Sequence, residues 1–344
     1  ASDVFVWGGE DNSPPEYGKV FICVKPTNAT VLNNEEKISL RNLIKDQNVV
    51  SIIPDVVDPN YLYINITTKV FYDSDKTKKS AKDISALVQN QILIYDITNL
   101  EKFSRNFRHS KFVKSIDDTD ESILGNQTSI TIEKRITPTT GEKKSYTIKF
   151  ENPLFHPHDG HMSILASSGF VYTKEDGSTC TAYLDDDGSG KIRMYELIDL
   201  TKNYITEDLG SIDYATGKIT LKDFMPTSIV SGVLKLRCIP QNSDVLAERN
   251  SIITLDASAP DSINVSVELY QPYGSQSVDS SYEISTPSVS SVSDTTTTTS
   301  SSETGASSSS SDPAGPLGGN NSGGSDGGGG GNQSSSSPSA PGGY

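Results

Sequence analysis

The order of apolar and polar residues in the first third of the chain predicts two strands, each followed by a helix. Residues 20–24 are apolar on both faces of an extended strand, which favours a strand covered on both sides. Residues 61–72 alternate between the two faces, and residues 81–95 place apolar side chains at a helical period. A helix starting near residues 33–36 completes a small strand–helix–strand–helix unit, which spans roughly residues 17–104.

Farther along, the pattern becomes that of short strands separated by turns. Residues 130–136 alternate, residues 138–141 turn the chain, and residues 146–150 return it. Further strands are predicted at residues 168–174, 179–184, 191–198, 218–222 and 229–239. Regularly spaced short strands of this kind predict a sandwich or a partly open barrel.

These patterns predict an α+β fold class and divide the chain into five ranges. The ranges are a linker (1–16), an α+β domain (17–127), a β-rich domain (128–256), a last strand with a linker (257–285) and a tail (286–344). The tail is mostly Ser, Thr, Gly and Pro. It cannot bury enough apolar surface to offset the cost of ordering its backbone, about 1–2 kcal/mol per residue. We therefore expect the tail to be disordered.

Residues 7–26, WGGEDNSPPEYGKVFICVKP, lead from an acidic, glycine-containing linker into the first strand. This segment resembles the corresponding part of the baseplate wedge proteins of T-even-like contractile-tailed phages, which are related to baseplate J proteins. The resemblance covers most of residues 1–256, and it continues through residues 48–52, 57–61, 212–219, 249–250 and 255–256.

The resemblance implies the C-terminal part of a structural, non-enzymatic protein with a baseplate J-like α+β unit. It implies association of the chain with itself, as a homodimer or ring around the tail hub, and with other baseplate wedge proteins. A rearrangement of that ring would trigger sheath contraction. The implied location is the tail baseplate of the virion, after assembly in the host cytoplasm.

Composition and charge exclude several other classes of partner. The 344 residues carry a net charge of −15, and no Lys or Arg follows Arg249. An acidic chain without a basic cluster argues against nucleic acid or an anionic membrane as a partner. No apolar run approaches the roughly 20 residues that cross a bilayer. Cys23, Cys180 and Cys238 lack metal-ligand spacing, and no motif indicates a cofactor.

One segment has residue types that could support catalysis. Residues 156–161 read HPHDGH, and His156, His158, Asp159 and His161 are candidate zinc ligands. The segment resembles the HxHxDH motif of metallo-β-lactamase-like hydrolases, but here Asp directly follows the second His and Gly precedes the third. The sequence therefore favours a polar loop, and a metal-dependent hydrolase stays an alternative.

Asp185, Asp186 and Asp187, followed by Gly188, suggest calcium at first sight. The calcium-loop register fails, because Met194 would stand where a bidentate Glu is required. A hairpin turn is therefore the favoured interpretation.

The remaining alternative function is surface adhesion, in which the β-rich domain would bind glycans. Tyr61, Tyr63 and Tyr72 are interpreted as packing partners within a sheet rather than as a sugar platform. The edge strands of the small α+β unit are the predicted surface for self-association, although the sequence does not specify which edge.

Overall fold

The computed structural model describes residues 1–27, 29–45 and 52–270. Strands hold 45% of the residues, so the protein is mostly β. Three α-helices lie in the described ranges: α1 (Asn34–Lys45), α2 (Ala81–Asn99) and α3 (His109–Asp117). In this part of the chain, no helix is long and apolar enough to span a membrane.

Sixteen strands of the described residues form three sheets. The first sheet has the order β1–β2–β3, with β1 (Asp3–Gly8), β2 (Lys19–Lys25) and β3 (Ile53–Val57). The second has the order β15–β4–β5–β14–β7, and β16 also pairs with β4. Its strands are β4 (Asn60–Tyr72), β5 (Ile123–Ile136), β7 (Leu165–Ser167), β14 (Leu234–Cys238), β15 (Ser251–Thr254) and β16 (Ile263–Leu269).

The third sheet has seven strands in the order β13–β8–β9–β10–β11–β12–β6. Its strands are β6 (Lys144–Lys149), β8 (Phe170–Thr173), β9 (Thr179–Asp186), β10 (Lys191–Ile198), β11 (Thr201–Asp213), β12 (Lys218–Phe224) and β13 (Ser228–Ile229). Four of these strands, β8, β9, β10 and β12, lie at predicted strand ranges, whereas the fifth predicted range, residues 229–239, holds β14 of the second sheet.

Residues 1–57, which we call the N-terminal segment, are built around the first sheet. Strand β1 pairs with β2 in antiparallel fashion, and β3 pairs with β2 in parallel fashion. Helix α1 lies between β2 and β3 in the chain and starts where the side chain of Asn33 accepts a hydrogen bond from Glu36 N (2.8 Å). Assignment of residues 1–16 to a linker is wrong for Asp3–Gly8, which form β1 because Phe5 and Trp7 pack on one face.

The predicted strand–helix–strand–helix unit is not confirmed. Strands β2 and β4, which would be its two strands, lie in different sheets. The short strand β3 takes the place beside β2, whereas β4 pairs with β5 over residues 63–72. Strand β4 is thirteen residues long, and all of its partner strands come later in the sequence. The sequence next to β4 therefore does not determine which strands pair with it.

Residues 60–270, which we call the body, hold most of the buried apolar residues. Helix α2 begins with a capping box between Ser80 and Asp83 and packs on the second sheet. Strand β4 pairs with β5 on one side and, in parallel fashion, with both β15 and β16 on the other. Strand β5 runs from residue 123 to residue 136, so the predicted boundary at 127/128 falls inside it.

The predicted return of residues 146–150 against residues 130–136 is wrong. Strand β5 pairs with β4 and β14, whereas β6 pairs with β12 in the seven-stranded sheet. The turn at residues 138–141 therefore carries the chain from one sheet to another. Strand β16 lies in the range predicted for a last strand, whereas the predicted tail (286–344) lies outside the described residues.

Candidate functional site

The histidine loop, residues 154–164, packs around one aromatic ring. His156 stacks on Tyr214, with ring centroids 4.4 Å apart and planes at 4°. The His161 ring lies edge-on to both, 4.9 Å from His156 and 5.2 Å from Tyr214. His156 Nε2 is 3.3 Å from Asp159 Oδ1, and His158 is exposed. The loop thus brings His156 and His161 together by ring packing.

The buried carboxylate of Asp186 holds this loop in place by accepting hydrogen bonds from its last residues. Its Oδ1 accepts hydrogen bonds from the N–H groups of Ile164 and Leu165 at 2.7 and 2.8 Å and from Ser163 Oγ at 2.8 Å. Its Oδ2 accepts from Tyr214 Oη at 2.8 Å and from the N–H of Gly188 at 3.2 Å. Burial, followed by the Asp186 carboxylate, raises the pKa of Tyr214 strongly, so its hydroxyl stays a hydrogen-bond donor.

Residues 185–190, which we call the aspartate turn, come into close contact with the histidine loop, and glycine makes this contact possible. Gly188 has φ +73°, and a Cβ there would come within 2.1 Å of the carbonyl oxygen of His161. Gly160 N also donates to Gly188 O at 2.9 Å. The two motifs that suggest metal chemistry in the sequence therefore form one packed junction.

Metal ligation finds little support at this junction. In the described ranges, no group of three or more His, Cys, Asp or Glu side chains is placed to hold a metal ion. His161 Nδ1 is 2.6 Å from Met162 O, and its Nε2 is buried without a hydrogen-bond partner among the described residues. Asp186 already accepts five hydrogen bonds, which uses the lone pairs of both oxygens. His156, His158, Asp159 and His161 thus remain candidates from sequence alone.

The aspartate turn closes the predicted hairpin between β9 and β10, and this interpretation is confirmed. Asp185 is buried and binds Arg193 through both oxygens at 3.0 and 3.1 Å, and Lys202 at 2.7 Å. Asp187 Oδ1 accepts from the N–H groups of Ser189 and Lys191. Burial works to raise the pKa of Asp187, but these hydrogen bonds outweigh it and lower the pKa.

A row of tyrosines crosses the seven-stranded sheet next to this turn. Tyr183 stacks on Tyr195 at 5.6 Å, and Tyr195 meets Tyr204 edge-on at 6.0 Å. Only 3% of Tyr195 is exposed, and Lys202 Nζ lies 4.5 Å from the centre of its ring. Glycan binding needs exposed ring faces, so the centre of this row serves packing. Tyr63 likewise packs, under the guanidinium of Arg135 (3.7 Å).

The first sheet offers two edges to a partner. Strands β1 and β3 each have one side without a strand partner among the described residues. Exposed apolar side chains accompany both edges: Val4 and Val6 on β1, and Ile53 on β3. An unpaired edge with apolar side chains favours pairing with another chain. The edge of β3 lies in the unit whose edges the sequence predicts for self-association, whereas the edge of β1 lies in the range predicted to be a linker.

A second exposed feature is the hairpin of β10 and β11. Leu197, Ile198 and Leu200 are exposed at its tip, and Asp199 and Leu200 both have positive φ. Only residues 210–213 of β11 pair with β12, so the rest of β11 extends beyond it. The sequence gives no signal for β11, because most of its side chains are exposed and its apolar residues do not alternate.

Two protein-family models match within the first 135 residues. Residues 1–57 match the family described as baseplate structural protein gp6, C-terminal domain I, and residues 60–135 match C-terminal domain III of that protein. The junction of the two matches coincides with the passage from β3 to β4, where the chain changes sheets.

Baseplate wedge protein gp6 of Enterobacteria phage T4 is 30% identical over 144 residues. The match covers 40% of this chain and 22% of the phage protein. The chain therefore spans about a fifth of the length of this curated relative.

Proposed function

We propose that this chain, whose residues 1–57 and 60–135 match the models of two C-terminal domains of baseplate structural protein gp6, is a structural subunit of a phage tail baseplate wedge and performs no catalysis. The observation that carries the proposal is the presence of two family domains in order. They correspond to the N-terminal segment and to the part of the body containing β4, α2, α3 and β5. The T4 relative, named as a wedge protein, supports the same role.

In this proposal the chain associates with itself and with other wedge proteins in the tail baseplate of the virion, after assembly in the host cytoplasm. Subunits that build a ring need at least two contact surfaces, and the exposed edges of β1 and β3 and the β10–β11 hairpin supply candidates. Triggering of sheath contraction would be a change between two arrangements of such contacts.

Sedimentation equilibrium of the full chain, from about 0.1 to about 100 μM, tests the proposal, because that range covers dissociation constants typical of assembly contacts. We expect species above the 37.0 kDa monomer. A strict monomer over the whole range, with no binding to purified wedge proteins of a contractile phage, would contradict the proposal. The hydrolase alternative instead requires stoichiometric zinc that is lost in His161→Ala and retained in a His109→Ala control.

A further inference from the structure

A buried lysine, Lys134, lies in the middle of the body on β5. The residue is only 5% exposed, and it stands opposite the fully buried Leu236 of β14. A buried lysine is normally paired with a carboxylate, but in the described ranges Lys134 forms no ion pair. Its Nζ instead lies 2.7 Å from the side-chain oxygen of Asn60. The fold thus places an amine against a carboxamide inside the protein.

The register of β4 and β5 explains why these two side chains meet. Tyr63 of β4 stands opposite Glu133 of β5, which makes the next residue, Lys134, a diagonal neighbour of Asn60. Diagonal neighbours lie about 7–8 Å apart along the backbone, a distance that a lysine side chain can span. Both residues point to the core face of the sheet, which they share with the fully buried Ile132.

Two further side chains, Ser251 and Glu151, contact the other end of the carboxamide. Ser251 Oγ accepts a hydrogen bond from Asn60 Nδ2 at 3.3 Å and donates one to Glu151 Oε2 at 2.9 Å. Ser251 is 2% exposed and stands opposite Asn60 in the parallel pair of β15 and β4. The Asn60 carboxamide is therefore held through its oxygen by Lys134 and through its nitrogen by Ser251.

The environment of Lys134 favours the neutral amine. Burial lowers the pKa of Lys134 to about 8, although the carboxylates of Glu151 and Glu248 act in the opposite direction. About one tenth of the amine is then neutral at pH 7 and about one half at pH 8. A neutral, desolvated lysine amine is a nucleophile.

The carbon of the carboxamide lies within reach of this amine. Asn60 Cγ is one C=O bond, about 1.23 Å, from the oxygen that Nζ contacts, so Nζ and Cγ are less than about 4 Å apart. Bonds form from separations of roughly 3–3.5 Å when the two groups are held in place. The contact is therefore close to a geometry from which the amine can attack the carboxamide.

We propose that Lys134 and Asn60 form an intramolecular isopeptide bond that joins β5 to β4. Nζ bonds to Cγ, the Cγ–Nδ2 bond breaks, and Nδ2 leaves as ammonia after gaining the proton that Nζ loses. Ser251, which is hydrogen-bonded to both Nδ2 and Glu151, is placed to transfer this proton. The step needs no other reagent. It occurs once in each chain, without turnover of a substrate, and it does not depend on the proposed assembly role.

The bond would strengthen the place where the chain passes from the first sheet to the second. Asn60 is the first residue of β4, and β3 ends at Val57. Force applied through the N-terminal segment would then reach β5 through a covalent bond in addition to the hydrogen bonds of β4. The cluster is complete only when β15 supplies Ser251, so the bond would form after the body has folded.

Mass spectrometry of the intact full-length chain tests the proposal. The wild type should weigh about 17 Da less than its sequence, because one ammonia has left. Lys134→Met, which replaces the lysine with an unbranched apolar side chain, and Asn60→Ala should each show the full mass of their sequences. Lys222→Met, at an exposed lysine of β12, is the matched control and should keep the loss. A cooperative thermal unfolding transition would show that each variant is folded.

Tandem mass spectrometry of a tryptic digest locates the bond. Trypsin does not cleave after a lysine whose amine is acylated, so the peptide containing Asn60 should be joined to the one containing Lys134. A succinimide at an asparagine also loses ammonia, but it leaves the two peptides separate and would persist in Lys134→Met. The joined peptides therefore distinguish the proposed bond from this side reaction.

Ser251→Ala tests the proton transfer. We expect the mass loss to develop at least about tenfold more slowly in this variant, because the path between Nδ2 and Glu151 is interrupted. The rate should still rise roughly tenfold from pH 6.5 to pH 8, since the neutral fraction of Lys134 grows over this range. Formation at the wild-type rate would overturn the role of Ser251.

Two results would overturn the isopeptide bond itself. One is a folded wild-type chain that keeps its full sequence mass after incubation at pH 8. The other is a loss of ammonia that persists in Lys134→Met. Neither result bears on assembly, which sedimentation of the wild-type chain tests separately.

Discussion

The N-terminal segment and the body hold their charged side chains in different ways. In the N-terminal segment, α1 is joined to the region of β3 by exposed pairs, Arg41 with Asp55 (2.9 Å) and Lys37 with Asp58 (2.7 Å). In the body, Arg237 and Glu133 face each other across β14 and β5 and are each only 1% exposed. Exposed pairs contribute about 0–1 kcal/mol, whereas loss of one partner of a buried pair is costly.

The difference shows what stabilises each region. Helix α1 has no buried residue, so surface pairs and a partly apolar face are all that hold it to the first sheet. The first sheet in turn rests on the body through an aromatic seam. Phe5, Trp7 and Phe21 follow one another at 5.4–5.7 Å, and Phe5 lies 5.9 Å from Phe103 of the body. The N-terminal segment therefore depends on the body, while the body has its own core.

The largest effect is expected from Arg237→Ala. This change removes the cation that pairs with Glu133 (2.9 Å) and Asp261 (2.8 Å), and it leaves the buried Glu133 with less compensation. We expect the free energy of unfolding to fall by about 3–5 kcal/mol, measured by urea denaturation. Arg237→Met with Glu133→Leu serves as the control, because it removes both charges. A loss below about 1 kcal/mol in the single variant would contradict the difference between the two regions.

The pH dependence of stability should also come from the body. Burial, with the nearby Glu101 carboxylate, raises the pKa of Asp96 to about 7. The folded protein then keeps this proton between about pH 4 and pH 7, where the unfolded chain has lost it. Stability contributed by this group is complete below about pH 4 and is lost as the pH rises through 7.

The full loss from Asp96 corresponds to about 4 kcal/mol by linkage. Asp96→Asn cannot ionise and keeps an acceptor for Leu255 N. We therefore expect the variant to match wild type near pH 4 and to exceed it in unfolding free energy at pH 8. Parallel urea denaturation curves from pH 4 to pH 8 measure the difference. A constant difference across this range would contradict the assignment to Asp96.

A substitution in the aromatic contact between the N-terminal segment and the body tests whether the segment depends on the body. Phe103→Ala removes a buried ring that contacts Phe5 and packs in one cluster with Ile252. We expect a loss of about 3 kcal/mol in the protection of β1 and β2 against hydrogen exchange, with β4 and β5 less affected. Tyr17→Ala, at an exposed ring of the same segment, is the control. Equal loss of protection in both regions would show that they unfold together.

The smallest effect is expected at the surface of α1. Arg41→Ala removes the exposed pair with Asp55, and the free energy of unfolding should change by less than about 1 kcal/mol. The effect should shrink further in 1 M salt, because exposed charges are screened there. A loss above 2 kcal/mol would place α1 among the elements that the global fold requires.

Strong periodic patterns in the sequence predict the elements that bury one face. Helix α2 and strand β4 appear where their apolar residues repeat at the expected period, and hairpin turns with Gly mark β9 and β10. Strand β15 was not predicted, because its four residues, SIIT, are all buried and their apolar and polar side chains do not alternate. The partners of β4 and β5 also escaped prediction, because pairing is set by contacts from 51 to 197 residues apart along the chain.

The candidate site shows the same limit for chemistry. The sequence identifies His156, His161 and the three aspartates as unusual, but it treats them as two separate motifs. Packing brings the two motifs into one junction through Tyr214 and Gly188, and no pattern in the sequence indicates these contacts. Helix α2 is recognisable in the sequence as a helix with several apolar residues. Only burial separates the apolar residues that form the core from those left exposed.

The pairing of β4 with both β15 and β16 has a consequence for how the protein is made. One edge of β4, complete once residue 72 has been synthesised, receives its partners only with residues 251–269. At about 5–20 residues per second, a ribosome needs roughly 10–40 seconds to supply them. During that interval the nascent chain exposes an apolar strand edge that can pair with another chain. The body therefore completes its second sheet only late in translation. Chaperone binding to the unpaired edge of β4 during that interval would favour a high yield of folded protein.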